Sequence, residues 1–304
     1  MQRRYITVDV FTDRPFGGNP LAVVLDAGGL STAQMQAIAT EFNYSETSFV
    51  LPPRDAAHDA QVRIFTVRSE VPFAGHPNVG TAFVLATQAA KMSARLLFEE
   101  KAGLVPVEIL KQGGEVIGAE LTAPQPLRRL SQMSAEQAAA CVSLSPADVR
   151  IDRHPPQIVS VGLPFLVVEL ATREALRRAR PDPAASAHVF PRDESDAVYL
   201  YTSDVPLQEK PNDLQARMFH PGASGVSEDP ATGSATAAAA ALLADLDGTQ
   251  NAELSLRIGQ GVDMGRPSLL LTRVRKENAA VMASHVGGRC VQMMEGTFRL
   301  AGAE

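Results

Sequence analysis

Pro77-Asn78-Val79-Gly80-Thr81-Ala82 recurs as Pro230-Ala231-Thr232-Gly233-Ser234-Ala235, an offset of 153 residues (230 − 77) in a chain of 304. Each copy opens a stretch, residues 77–90 and 230–244, that is apolar almost all the way round a helix. Each begins with proline, which is favoured at the first helical position. A helix apolar on every side has to be buried on every side. Two shorter matches keep the same order: Arg63-Ile64-Phe65 with Arg217-Met218-Phe219, and Pro20-Leu21-Ala22-Val23-Val24 with Pro164-Phe165-Leu166-Val167-Val168. Each match is weak alone, but their shared order argues for two copies of one unit.

What surrounds the two helices is strand. β-branched runs at residues 5–11, 21–25, 47–51, 61–65, 96–99, 105–110 and 116–121 predict strands in the first half, with one helix at 31–41 opened by a Ser31/Gln34 capping box. The second half has a Ser134/Gln137 capping box and strand-like runs at 157–161, 165–170, 197–201, 215–219, 254–258, 268–273 and 280–283. Residues 181–187 read as a loop. Many strands and few helices predict an α+β fold rather than regular βαβ alternation. The simplest burial for each apolar helix is a curved sheet wrapped around it. A boundary is expected near residue 126, within Thr122-Ala123-Pro124-Gln125-Pro126, because two prolines at this spacing disfavour helix and central strand alike.

Composition narrows the function. With 28 basic and 34 acidic side chains the net charge is −6, which does not suit a nucleic-acid binder. No apolar run reaches the length that spans a bilayer, and Asp9 interrupts what would be the core of a signal peptide, so a soluble cytoplasmic protein is expected. Cys141 and Cys290 form neither a disulfide framework nor a C-x-x-C pair. Gly259-Gln260-Gly261-Val262-Asp263-Met264-Gly265 imitates a dinucleotide fingerprint. Its spacing is one residue too long and a strand follows where a helix is needed, so a tight turn is the better reading. The six histidines show no metal-ligand spacing, and no phosphate-loop or serine-hydrolase motif is present.

On the 153-residue offset His76 falls opposite Asp229, both near a helix start, and Gly75 opposite Glu228. If the two lobes faced each other, two helix N-termini would offer their free N–H groups to one carboxylate. Glu46 opens a strongly apolar strand. Facing an apolar cleft, its carboxyl would have its charged form disfavoured and its pKa raised toward the range useful for proton transfer.

Gly18-Asn19-Pro20-Leu21-Ala22-Val23, Asn43-Tyr44-Ser45-Glu46, Phe73-Ala74-Gly75-His76-Pro77-Asn78-Val79-Gly80-Thr81-Ala82, Arg217-Met218-Phe219, Glu228-Asp229-Pro230-Ala231-Thr232-Gly233-Ser234-Ala235 and Gln260 to Ser268 closely resemble the PhzF-like (phenazine-biosynthesis) family, which has the diaminopimelate-epimerase fold. The resemblance covers nearly the whole chain. It implies an α+β fold of two pseudo-symmetric lobes, each a barrel-like curved mixed sheet around a central apolar helix. The N-terminal lobe would hold residues 1–126, joined by a last strand at about 291–304, and the C-terminal lobe residues 127–290. It implies a homodimer, and a cofactor-independent isomerase that moves a proton between carbons of a small, cyclic carboxylate, as in isomerisation of trans-2,3-dihydro-3-hydroxyanthranilate. Glu46 would be the general acid/base, His76 and Asp229 would polarise and orient the substrate, and Ser45, Gly75, Gly233 and Ser234 would line the pocket. Epimerases of this fold carry a cysteine at the start of each central helix. Here those places hold Gly75-His76 and Asp229-Pro230, so thiol chemistry is not expected. Residues 181–186 and 220–227 are candidates for setting substrate choice. The other reading is a catalytically idle relative that binds a small molecule or a protein.

Overall fold

Alternating apolar residues make the strands and unbroken apolar runs make the buried helices, in two units of nearly the same plan. The computed structural model describes residues 2–89, 93–209, 211–220 and 228–300. Contacts divide the chain into one unit of residues 1–124 and 287–304 and another of residues 125–286. The first unit contains β1 (Gln2–Val10), β2 (Asn19–Val24), α1 (Thr32–Phe42), β3 (Glu46–Leu51), β4 (Ala60–Thr66), β5 (Glu70–Val71), α2 (Gly75–Gln88), β6 (Arg95–Glu100), β7 (Gly103–Gln112) and β8 (Glu115–Thr122). The second contains β9 (Arg128–Gln132), α3 (Ala135–Ala140), β10 (Gln157–Ser160), β11 (Pro164–Glu169), α4 (Arg173–Arg178), α5 (Pro183–Ser186), β12 (Val198–Thr202), β13 (Leu214–Phe219), β14 (Glu228–Asp229), α6 (Gly233–Leu246), β15 (Ala252–Gln260) and β16 (Ser268–Glu277). A 20-residue strand, β17 (Ala280–Arg299), passes from the second unit into the first.

In the first unit the strands close a ring. β1 pairs with β2, β2 with β3, β3 with β4, β4 with β6, β6 with β7 and β7 with β8, and β17 closes the gap between β8 and β1. This is an eight-stranded mixed barrel, parallel at β2/β3 and β4/β6. Helix α2 runs through it, and eleven of its fourteen residues are buried. The helix fits because Gly80 has no side chain: a Cβ there would lie 2.6 Å from Leu21 and 2.8 Å from Val10. Outside the ring, Met35, Ile38 and Ala39 of α1 pack on Val24, Phe49 and Phe65. The Ser31/Gln34 capping box forms as read from the sequence.

The second unit repeats the order of pairings. β10/β11 are antiparallel, β11/β12 parallel, β12/β13 antiparallel, β13/β15 parallel and β15/β16 antiparallel, with β9 alongside β10. The sheet packs around α6, buried from Gly233 to Ala244. At its far end the buried Lys276 ammonium donates to the carbonyls of Ala244 and Asp247, a cation placed on the negative end of the helix. The expected α+β class of two pseudo-symmetric units is therefore the one observed.

Two differences from the sequence reading concern helices. Residues 183–186 are a short helix capped by Asp182, not loop. The second and larger difference is in the repeat alignment. The central helices start at Gly75 and Gly233, an offset of 158 (233 − 75), so Pro77 sits inside the first turn of α2 whereas Pro230 precedes α6. The cause is four extra residues between Phe219 and Glu228 relative to the stretch between Phe65 and Glu70, which occupy matching places in the β13/β14 and β4/β5 pairings. Residue 90, expected in the first apolar helix, and residues 221–227, expected to bear on substrate choice, lie outside the described residues.

Candidate active site

In the first unit β3 begins at Glu46, which pairs with Leu21 on the face that meets α2. Successive residues of a strand alternate faces, so Glu46 and Ser48 point toward the central helix. His76, the second residue of α2, is 4 % exposed, and its Nε2 stands 3.6 Å from Glu46 Oε2. Burial holds the imidazole down at about 3, so the ring is neutral and this contact is not an ion pair. Its tautomer is set from behind. Asn19, the first residue of β2, donates from Nδ2 to His76 Nδ1 at 3.2 Å, which leaves the ring proton on Nε2, facing Glu46. Among the described residues Nε2 has no acceptor within hydrogen-bonding distance. Ser45 and Gly75 are the chain neighbours of this pair. The N-cap residue Ala74 makes no side-chain hydrogen bond to the first turn of α2, so its N–H groups keep their capacity for an anion.

Deeper along α2 lies a second carboxyl. Glu100, at the end of β6, has both oxygens buried, with the Asn78 amide nearby. Burial pushes it up to about 8, so it is neutral at pH 7.

In the second unit Asp229 lies in β14, paired with Met218. It does not sit at the N-cap of α6, as the sequence alignment suggested. That place belongs to Thr232, whose hydroxyl donates to Asp229 Oδ2 at 2.5 Å. On the structural offset His76 corresponds to Ser234 and Gly75 to Gly233. Gly233 and Ser234 are the first two residues of α6 and both are buried. The structure thus brings Glu46 and His76 together in one unit and groups Asp229, Gly233 and Ser234 in the other.

The residue before Asp229 is held by a fork. Arg217 on β13 donates from Nε and Nη2 to the two Glu228 oxygens at 2.7 and 2.8 Å. It also donates to the Leu176, Arg177 and Ala179 carbonyls at the end of α4, and stacks 4.7 Å from the Phe219 ring. The first unit has the same device. Arg63 forks onto Glu70 at 2.8 Å and lies 5.2 Å from the Phe65 ring. The Arg-x-Phe repeat in the sequence is therefore a clamp on the strand leading into each central helix.

Both cysteines are buried, and burial pushes the Cys290 thiol up to about 12. Sequence reasoning gave no role to Asn19, Thr232 or Gln260, although all three stand within the quoted motifs. Their signal was the buried amide or hydroxyl in an otherwise apolar frame.

The family model described as phenazine biosynthesis-like protein (PhzC-PhzF) matches residues 8–296. An isomerase of Mesorhizobium japonicum, described as uncharacterised, is 38 % identical over 97 % of this chain and 98 % of its own. The trans-2,3-dihydro-3-hydroxyanthranilate isomerase of Pseudomonas chlororaphis is 36 % identical over 97 % of this chain and 99 % of its own. A Bacillus anthracis phenazine biosynthesis protein of the PhzF family superposes with a TM-score of 0.86 at 24 % identity, covering 99 % of this chain and all of that one, a likeness of fold.

Proposed function

The chain belongs to the phenazine biosynthesis-like PhzC-PhzF family, and on that premise we propose that it is an isomerase moving a proton between two carbons of a small cyclic carboxylate. In this reading Glu46 takes the proton from one carbon as general base and returns it to another as general acid, so no group is gained or lost. His76 Nε2–H donates to a substrate oxygen and stabilises the negative charge that develops when the proton leaves carbon. Asp229 and the first-turn N–H groups beginning at Gly75 and Gly233 orient the substrate, with Ser45 and Ser234 beside them. These side chains supply both the base and the polarising donor, so no cofactor is invoked. A homodimer, carried over from the family resemblance, and a cytoplasmic location, carried over from the sequence, belong to the same proposal, and light scattering tests the first.

The observation that carries the reading is the Glu46 carboxylate facing a buried neutral imidazole whose proton Asn19 directs toward it. A carboxylate opposite an imidazolium would be a resting ion pair, whereas opposite a neutral imidazole its basicity is not lowered by a neighbouring cation. The test is incubation with trans-2,3-dihydro-3-hydroxyanthranilate and other small cyclic amino and hydroxy carboxylates in deuterium oxide. One of them is expected to gain deuterium on carbon with the wild type and not with Glu46→Gln. Equal label with a folded Glu46→Gln protein overturns the assignment, and tight binding without any exchange favours the idle, ligand-binding relative.

A further inference from the structure

The segment Gly259 to Ser268, whose first seven residues imitate a dinucleotide fingerprint, has a different task. β15 ends at Gln260, and a tight turn with one 3-10 segment, Val262–Met264, leads into β16. The turn is pressed against the segment that carries Asp229. Gly261 has φ +72, and a Cβ on it would lie 2.6 Å from the Pro230 carbonyl oxygen, so only glycine permits the approach. Ser268 Oγ donates to the same carbonyl at 3.0 Å.

Gln260 is fully buried and its amide can adopt only one orientation. Thr232 N–H is a donor and must face Oε1, at 3.1 Å. The Asp229 carbonyl is an acceptor and must face Nε2, at 2.8 Å. The second Nε2 proton then points to Thr232 Oγ1, at 3.1 Å. Because that hydroxyl oxygen already accepts from Gln260, its own proton goes to Asp229 Oδ2, 2.5 Å away. The direction of each bond follows from the one before it.

We propose that Gln260 and Thr232 are positioning residues for Asp229: the Gln260 amide fixes the Thr232 hydroxyl as a donor to Oδ2, which favours the carboxylate form and holds it in one orientation. Arg217 and Glu228, the charged pair on the strands leading into this segment, are bonded to each other at 2.7 Å. The proposal rests on the reading of Asp229 as a substrate-orienting group, and its test is chosen to be separable from that reading.

The primary measurement is the titration of the Asp229 13Cγ resonance in protein labelled at aspartate, assigned by its loss in Asp229→Asn. Thr232→Val removes the donor at constant shape and is expected to raise the midpoint by about one unit. Gln260→Glu replaces the Nε2 donor with an acceptor and is expected to raise it at least as far, while Thr232→Ser stays at the wild-type value. On trans-2,3-dihydro-3-hydroxyanthranilate the first two variants are expected to lose about tenfold or more in kcat with KM within about twofold. An unchanged midpoint in folded Thr232→Val overturns the proposal, and that variant carries the test if Gln260→Glu does not fold. A raised midpoint in a protein whose wild type never turns over this compound upholds the relay and counts against the substrate reading alone.

Discussion

The two central helices share a frame and differ in what they carry. Both are fourteen residues long, start with glycine, and follow a two-residue strand clamped by an Arg-to-Glu fork. In α2 the first turn is Gly75-His76-Pro77-Asn78; in α6 it is Gly233-Ser234-Ala235-Thr236. Counting from the pairings of Thr47 with Phe65 and of Val198 with Phe219, the place of Glu46 is taken in the second unit by Ala197. Around α2 the buried atoms Ser48 Oγ, Asn78 Oδ1, Thr81 Oγ1 and both Glu100 oxygens lack a formal hydrogen-bond partner among the described residues. The equivalent polar group of α6, Thr236, is satisfied by the Tyr199 hydroxyl at 3.0 Å. An arrangement that conserves strand pairings and clamps keeps a fold. The second unit has Gln157 Nε2 and Gln215 Nε2 in the same condition on its strands, so it is the grouping of such atoms with Glu46 and His76 that points to where chemistry is concentrated.

The sharpest way to break this contrast is to exchange a polar group in each first turn's neighbourhood. Glu46→Gln is expected to lower turnover by about 10³-fold or more, against about tenfold for Ser234→Ala, measured as deuterium exchange into substrate. Comparable losses would show that the two units share the proton transfer.

The clamps test the common frame. Arg217→Met strands Glu228 and leaves three α4 carbonyls without their donor, so a loss of about 3–5 kcal/mol is expected in urea unfolding. Arg63→Met is expected to cost less, about 1–3 kcal/mol, because Arg63 is more exposed and Glu70 retains Lys101 at 2.6 Å. Equal effects would mean that the α4 carbonyls contribute nothing.

Two titrations, both of buried groups in the first unit, test its polar interior by pH. His76 is held at about 3 in the fold and would titrate near its ordinary value of 6.5 when unfolded, so between those values the unfolded chain binds the extra proton. Stability from this group is present above pH 6.5 and is lost as pH falls toward 3. The drop in Tm between pH 7 and pH 4 is expected to shrink by several degrees in His76→Gln. Glu100 has the opposite sign. Its folded pKa, about 8, lies above the ordinary 4.5, so its contribution is present below pH 4.5 and is lost as pH rises to 8. Glu100→Gln is expected to raise Tm by a few degrees at pH 8 and to leave it near the wild-type value at pH 4. If either shift is absent in differential scanning calorimetry, that group is better solvated than its buried position implies.

Much of the frame was legible because it rests on local chemistry. The capping boxes at Ser31 and Ser134 form from three-residue spacings. The central helices were marked by unbroken runs of Ala, Val and Thr, which alternation cannot place in a half-buried strand. The residues of β17 themselves predict strand only over Ala280 to Ala283, because the later ones alternate with exposed Met294 and Glu295 and carry a weak signal; its last part, at about 291–304, was expected from the family resemblance. Strand β9 was missed since Arg128-Arg129-Leu130-Ser131-Gln132 has one apolar residue and depends on pairing with β10. The repeat alignment erred because proline and glycine recur by composition, and a four-residue insertion before Glu228 slid one copy past the other.

By itself the sequence determined that two similar units exist, that each buries a helix apolar on all sides, and that Glu46, His76 and Asp229 stand beside the starts of those elements. Those facts follow from periodicity and capping, which act over a few residues. Only the tertiary structure decided that His76 corresponds to Ser234 and not to Asp229, that Asn19 sets the imidazole proton, and that Gln260 directs the Thr232 hydroxyl onto Asp229. Each of these is a hydrogen bond whose direction is fixed by the donors and acceptors already committed around it. Asn19 lies 57 residues from His76 and Gln260 lies 28 from Thr232, separations that chain spacing does not encode and that only strand pairing brings within about 3 Å.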